Sequence, residues 1–470
     1  MNEPIRPNIL VYCTDQQRFD TIGALGNPHV RTPTLDKFVS TGTAFTHCYC
    51  QSPICTPSRS SFMTGLYPAR LHSTRNGNDT FPTDAPPLIS KTLADSGYDC
   101  GNIGKFHLTS SGHRTEPRLD DGYSYWKFSH APRDDWEDGH DYAEWVREKG
   151  GDLNAMRDSE ERVPAEFHQT TWATDRSIEF ITQNRGADQP WFLTVNPYDP
   201  HPPFIPPKSY ADRYNPSEMP GPHFEEGDLE TQAQLAGIDF QDEARTPEEH
   251  DAHAKQARYY AMIELIDDQF ARLLKGLDEA GQRENTLIIF TSDHGETLGD
   301  HGLMYKGCRF YEGLVRVPLI FNWPGKIKAG LQADGLVELL DFSATALDFS
   351  GVGVPEYHQG RSLRSVLDGS AAADVIRKSV RCEYFDSLDS FFTGGPGAFA
   401  TMYRRGQYKL SLYHGFGLGE LYDLESDPWE HKNLWSEAEF APLKAKLIAE
   451  SFDNHVLLTT DVGSRRIAPM

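Results

Sequence analysis

The chain has 470 residues, 38% of them hydrophobic and 24% charged, the balance of a globular protein with one large domain and a smaller one. Lys and Arg number 45 against 69 Asp and Glu, a formal charge of -24 that repels phosphate backbones and sets nucleic acid aside as a partner. The opening "MNEPIRPNILVYCTDQQ" lacks the basic start and apolar core of a secretory signal, and no stretch reaches the roughly 18 apolar residues of a bilayer span. A cytoplasmic protein with no membrane partner is therefore expected.

Short apolar runs alternate with helical patterns, which predicts an α/β fold: a large mixed, mainly parallel sheet sandwiched by helices. "NILVYC" (8–13) reads as a buried first strand, and "TPTLDKFVSTG" (32–42) as a helix with Thr32 as its cap and Pro33 in the first turn. In "SPICTPSRSSFMTG" (52–65), Thr56 suits an N-cap, Pro57 the first helical position and Gly65 the stop. "PPLISKTLADSG" reads as a helix and "YDCGNIG" as a strand; "TWATDRSIEFITQN" is helical and "WFLTVNP" a strand ended by Pro197. Over 254–280, Met262, Ile266, Phe270, Leu273 and Leu277 share one helix face, a core-packing stripe. "NTLIIFTSDHG" and "VPLIFNWPG" follow as buried strands.

Residues 108–165 and 199–250 show little periodicity and read as long loops or lids. Near residue 375 the pattern changes to "VRCEYF", "YKLSLY" and "GELYDLESDPWEHKNL", short strands and turns. The expected division is a catalytic domain over 1–374 and a smaller C-terminal domain with an antiparallel sheet over 375–470. The tail "VLLTTDVGSRRIAPM" is apolar enough to dock onto a neighbouring subunit, so a homo-oligomer is among the expectations.

Two strands end alike, one in Thr14-Asp15-Gln16 and the other in Ser292-Asp293-His294. In open α/β sheets ligands gather outside the carboxyl ends of the strands. If these strands are neighbours, two carboxylates, an amide oxygen and an imidazole converge, and a divalent cation is the simplest counter-charge. Oxygen donors favour Ca²⁺, Mg²⁺ or Mn²⁺, and one imidazole moves the balance towards Mn²⁺ or Zn²⁺. Taken singly, each Asp reads as well as the cap of the next turn.

The cysteines, at 13, 48, 50, 55, 100, 308 and 382, are odd in number and scattered, as reduced thiols would be. Six read as small buried thiols. Cys55 differs, because it directly precedes a helix N-terminus with Arg59 in the first turn, surroundings that lower a thiol pKa. A phosphatase-type loop would need Arg at position 61, which is Ser.

Cys55-Thr56-Pro57-Ser58-Arg59 resembles the C-x-P-S-R signature of the type I sulfatases, whose fold is alkaline-phosphatase-like. "GYDCGNIGKFH" (97–107) is similar to their second signature, with Lys105 and His107. "NPYDPHPPF" (196–204) resembles the segment with an active-site His, here His201. "SDHGETLGDHGLMYKG" (292–307) resembles the one that supplies metal ligands Asp293 and His294 and the lysine Lys306. "ELYDLESDPWEHKNL" resembles the family's C-terminal hairpin, and the segments follow the family's order from residue 8 to 434.

The resemblance implies that a maturation enzyme oxidises Cys55 to formylglycine, whose hydrate attacks the sulfur of a small-molecule sulfate ester. Asp15, Gln16, position 55, Asp293 and His294 would hold one divalent metal, Ca²⁺ first and Mn²⁺ next. Arg59 and Lys105 would offset the sulfuryl charge, His201 and Lys306 would protonate the leaving alcohol, and His107 would deprotonate the second hydroxyl so that sulfate is expelled. Asn76 matches a polar position that contacts the nucleophile or sulfate in relatives; Asn-Gly is also simply a good turn. Trp126, His130, Trp136 and Tyr142 are candidates for the pocket wall or for loop anchors, Arg75 for the surface or a pocket wall, and His301 for an orienting or loop role or for chemistry.

Phosphonate monoester and phosphodiester hydrolases share the superfamily and replace the Lys and His of the second signature, typically by Tyr and Thr. Lys105 and His107 therefore favour sulfate, with the phosphonate hydrolase as the alternative. Many animal sulfatases carry Asp and Asn where this chain has Gln16 and His294, which leaves the identity of the metal open. A third reading is a silent binding protein whose Cys55 is never oxidised.

Overall fold

The computed structural model describes residues 6–111, 115–159, 161–186, 189–374, 376–388 and 397–460. Nine strands form the main sheet: β1 (Asn8–Thr14), β2 (Thr43–Tyr49), β3 (Asp99–Gly104), β4 (Tyr125–Phe128), β5 (Trp191–Asn196), β6 (Thr286–Ser292), β7 (Arg316–Asn322), β8 (Leu331–Ala333) and β9 (Val337–Glu338). Their order is β4-β3-β5-β1-β6-β7-β2-β8, with β9 also on β2. The run from β4 to β6 is parallel, and β7 is antiparallel to both its neighbours.

Successive side chains of a strand point to opposite faces, and a sheet covered on both sides buries them all. On β1, Ile9, Val11 and Cys13 join one core, with the helices Cys55–Thr64, Ile89–Asp95 and Asp341–Ser350. Leu10 and Tyr12 join the other, with Pro33–Thr41, Gln169–Ile181 and Ala252–Glu279. The whole predicted stripe, Met262, Ile266, Phe270, Leu273 and Leu277, is buried in that second core.

A second sheet is antiparallel throughout: β10 (Ser379–Phe385), β11 (Phe399–Arg405), β12 (Tyr408–Tyr413) and β13 (Leu418–Asp423). Val380, Cys382, Tyr384, Met402 and Tyr413 continue the first core, while the helix Ala441–Thr459 covers the other side through Leu447. Of the tail singled out in the sequence, Val456 and Leu457 are exposed on this helix, and 461–470 lie outside the described residues. No helix among the described residues is long and apolar enough to cross a membrane.

The capping expectations need correction. Thr32 precedes its helix but makes no side-chain cap, and Thr56 lies inside its helix, where Ile54 holds the N-cap position. Gly65 does stop that helix in the left-handed region, at φ 77°. Among the described residues, the segments without periodicity are long connections that carry only β4 and short helices such as Asp141–Glu148 and Gly227–Gln234.

Candidate active site

β1 and β6 are parallel neighbours, with Thr14 opposite Ser292. Their carboxyl ends deliver Asp15-Gln16 and Asp293-His294 to one point. Gln16 has φ 69°, a left-handed conformation for a side-chain-bearing residue, held by its N–H donating 3.0 Å to Asp293 Oδ1. The helix Cys55–Thr64 starts at the same point, and Cys55 is 1% exposed.

Cys55 Sγ lies 2.9 Å from Lys306 Nζ, 3.1 Å from His294 Nε2 and 3.8 Å from Asp15 Oδ1. Burial raises the pKa of this thiol, but the Lys105 and Lys306 ammonium groups outweigh it and bring it down to about 7. The other cysteines are also buried and unpaired, and burial pushes Cys13, Cys48, Cys100, Cys308 and Cys382 upward.

Arg59 donates from Nε to Asp293 Oδ2 at 2.8 Å and from Nη1 to the Lys105 carbonyl at 2.9 Å. Burial works against the Asp293 charge, but Arg59 and then His294 hold its carboxyl well below the usual range. Lys105 pairs with Asp15 Oδ2; burial opposes its charge most, but Asp15 and Cys55 together outweigh burial and its pKa is raised. The turn into Lys105 requires glycine at 104: φ is 100°, and a Cβ there would stand 2.0 Å from the Asn196 carbonyl oxygen.

Lys306 Nζ also donates 2.7 Å to Gln16 Oε1 and lies 3.1 Å from His201 Nε2. His201 Nδ1 is 2.6 Å from the Pro202 carbonyl, to which it donates, so Nε2 faces Lys306 as an acceptor. Burial, then Lys306, drives His201 well below its ordinary pKa; burial, then Lys105, does the same to His107. Both imidazoles are therefore neutral, as a general base or a proton relay requires.

The donors fit a divalent cation. One atom each from Asp15, Cys55, Asp293 and His294 lies within 4.8 Å of the others. His294 Nδ1 donates 2.8 Å to the Gly295 carbonyl, which leaves the Nε2 lone pair facing the cluster. The Gln16 amide nitrogen donates to Glu296, which turns Oε1 inward. A set rich in oxygen with one imidazole suits Ca²⁺ or Mn²⁺.

Of the remaining candidates, Asn76 sits at the helix N-terminus, where its Oδ1 accepts from the Thr56 hydroxyl at 2.9 Å and from Thr56 N–H at 3.3 Å. His130 packs against His107 with 4.7 Å between ring centroids, and also touches Tyr198 and Trp136. Tyr142 is a buried loop anchor whose hydroxyl donates to the Phe167 carbonyl. Trp126 packs on Phe106 beneath Arg118. Arg75 is exposed and pairs with Asp386.

Sequence reasoning missed two carboxylates that support the site. Glu116 accepts the backbone N–H of His107, Leu108 and Thr109, and Glu296 accepts those of Leu298 and Tyr305 besides the Gln16 amide. Glu296 stands in the middle of "SDHGETLGDHG", where an acid so close to the strand end was a usable signal. Glu116 lies in the segment without periodicity and had none.

Comparisons with known proteins cover nearly the whole chain. The Sulfatase family model matches residues 7–352, and the N-sulphoglucosamine sulphohydrolase, C-terminal model matches 299–455. The arylsulfatase of Clostridium perfringens is 29% identical over 93% of this chain and 92% of its own. The multifunctional alkaline phosphatase superfamily protein PehA of Trinickia caryophylli is 30% identical over 93% of each. The crystal structure of the phosphonate monoester hydrolase of Agrobacterium radiobacter superposes with a TM-score of 0.79, at 24% identity and 96% coverage of both chains. The chain belongs to the sulfatase family, as a type I member of the alkaline phosphatase superfamily, and is a sulfuric ester hydrolase.

Proposed function

We propose that the protein hydrolyses sulfate monoesters with a formylglycine hydrate made from Cys55. The observation that carries this reading is the position of Cys55 Sγ, at the focus of Lys306, His294 and Asp15. An oxygen there would have cationic partners and a metal site beside it. Because Cys55 is 1% exposed, the maturation enzyme that oxidises it must act before the chain folds.

A divalent ion held by Asp15, Gln16, position 55, Asp293 and His294 supplies positive charge that favours the ionised hydroxyl. The hydrate oxygen bonds to sulfur as the ester S–O bond breaks. Arg59 and Lys105 stabilise the sulfuryl oxygens, and the departing alkoxide takes a proton from Lys306, which His201 Nε2 adjoins. Neutral His107 then accepts the proton of the second hydroxyl. The carbonyl re-forms, the bond from carbon to the sulfated oxygen breaks, and sulfate leaves. Cys55→Ser can accept the sulfuryl group but has no second hydroxyl to expel it.

A second reading, phosphonate monoester or phosphodiester hydrolysis, is favoured by the likeness to PehA and to the phosphonate hydrolase. Lys105 and His107 stand against it. The test compares kcat/KM for an aryl sulfate and the matching aryl phosphonate, and follows Cys55→Ser by intact mass. Sulfate preference with a trapped sulfate adduct is expected. A higher kcat/KM for the phosphonate would promote the second reading, and rapid turnover by Cys55→Ser would remove the formylglycine mechanism.

A further inference from the structure

A second set of metal-ligating groups lies apart from Cys55. Asp228, His301 and His431 each present one donor atom, and all these atoms are within 4.8 Å of one another. They come from separate parts of the chain: Asp228 from the helix Gly227–Gln234, His301 from the turn Asp300–Gly302, and His431 from the stretch after β13.

The spacing is informative. His301 Nδ1 is 3.2 Å from Asp228 Oδ1, and His431 Nδ1 is 3.5 Å from Asp228 Oδ2. The two contacts run to different oxygens of the Asp228 carboxylate, each close to the roughly 3.3–3.4 Å that separates two ligand atoms about 2.0–2.1 Å from a tetrahedral zinc, so either oxygen can serve as the carboxylate ligand. His431 Nδ1 is buried and has no hydrogen-bond partner among the described residues, although a carboxylate oxygen lies so near. A buried imidazole nitrogen that faces a carboxylate without bonding to it needs another partner, and an ion shared with that carboxylate supplies one.

Asp228 and His301 are 5% and 3% exposed, and the side chain of His431 is 20% exposed, so a further ligand position can open to water on the His431 side. The surroundings orient the donors: the Glu225 N–H donates 2.8 Å to Asp228 Oδ2, and Tyr311 stacks on the His301 ring at 3.8 Å between centroids. Two imidazoles and one carboxylate suit a borderline ion such as Zn²⁺ better than Ca²⁺, which takes oxygen ligands.

We propose that Asp228, His301 and His431 form a second metal site, selective for Zn²⁺-class ions, that fastens the 199–250 connection and the segment after β13 to the active-site loop. This goes beyond the hydrolase reading and does not rest on it. The loop it grips, from His301 to Lys306, leads directly to the lysine beside Cys55.

The experiment keeps full-length protein in excess Ca²⁺, titrates Co²⁺ as a visible probe, and displaces it with Zn²⁺. One equivalent with the intense band of tetrahedral Co²⁺ is expected in wild type and in Asp293→Asn, whose lesion is at the other cluster. His431→Ala should weaken Zn²⁺ binding by about a hundredfold or more. Zn²⁺ should also raise the Tm of wild type and not that of His431→Ala. Crystals of wild type grown with one equivalent of Zn²⁺ should show an anomalous peak among the three side chains, which keeps the test decisive if His431→Ala folds poorly. A peak only at the Asp15–Asp293 cluster, or a Co²⁺ band unchanged in His431→Ala, overturns the proposal.

Discussion

The Glu116 carboxylate touches neither the nucleophile nor the cluster beside it, yet it governs how His107 is held. His107 has φ 56°, and Glu116 Oε2 accepts its N–H at 2.6 Å, while Oε1 accepts from Leu108 at 2.6 Å and Thr109 at 2.9 Å. Without that acceptor, buried N–H groups lose their partner and the left-handed turn loses its support. Glu116→Ala is expected to lower kcat about tenfold or more with KM little changed, and Glu116→Gln to restore part of it, the split expected of a group that positions an acid–base residue. Burial pushes the Glu116 carboxyl from 4.5 up to about 7, against the pull of its N–H partners. A raised acid contributes stability that is fully present below pH 4.5 and lost as pH rises towards 7. The Tm of wild type should therefore fall relative to that of Glu116→Gln across this window, and a constant difference would refute the linkage. At this scale the sequence was legible where a side chain follows a strand directly, as Asp15, Asp293 and His294 do. It was silent for Glu116, which acts on backbone from a segment without period.

Helix caps show why element ends were harder to read than elements. Thr32 stands one position before its helix and Thr56 one position inside its own, both with the right chemistry, but the structure caps both helices from elsewhere in the chain. Asp267, on the helix Ala252–Glu279, accepts the N–H of Leu35 at 2.7 Å and of Thr34 at 3.0 Å. Asn76 does the same for Thr56. A cap supplied across the fold leaves no local signal. Asp267→Ala should cost about 1–2 kcal/mol, the scale of a lost cap, read as a lower urea midpoint with an unchanged m-value. Strands buried on both faces were legible as unbroken apolar runs, as in β1 and β6. β2 was not: two of its residues are half-buried, and its pairing with β7 shifts register between Phe45 and Cys48.

For the whole molecule, the change of pattern near residue 375 announced a second sheet but not how it is attached. β10–β13 share a core with the main sheet, and a buried charge cluster crosses the contact. Lys409 on β12 donates 2.9 Å to Glu312 Oε1 and 2.7 Å to the Phe310 carbonyl, and pairs with Glu430. Glu312 follows the active-site loop, and its N–H donates 2.7 Å to Glu430 Oε2. Burial raises both carboxyls, yet Lys409 and Arg404 hold Glu312 well below its ordinary range, while Glu430 stays up at about 7. One ammonium thus serves two acids, and the Glu430 site retains the proton more tightly. Removing Lys409 takes the ammonium from Glu312 Oε1 and leaves Arg316 and Arg404 beside Oε2, so the buried charge keeps only part of its compensation and Lys409→Met should cost about 3 kcal/mol, the low end for breaking a buried pair. The double variant Lys409→Met, Glu312→Gln removes the under-compensated charge as well and should recover at least about 1 kcal/mol of that loss. Chemical denaturation of the wild type, both single variants and the double variant measures the coupling. Strictly additive losses would mean that packing alone, and not this cluster, joins the second sheet to the catalytic core.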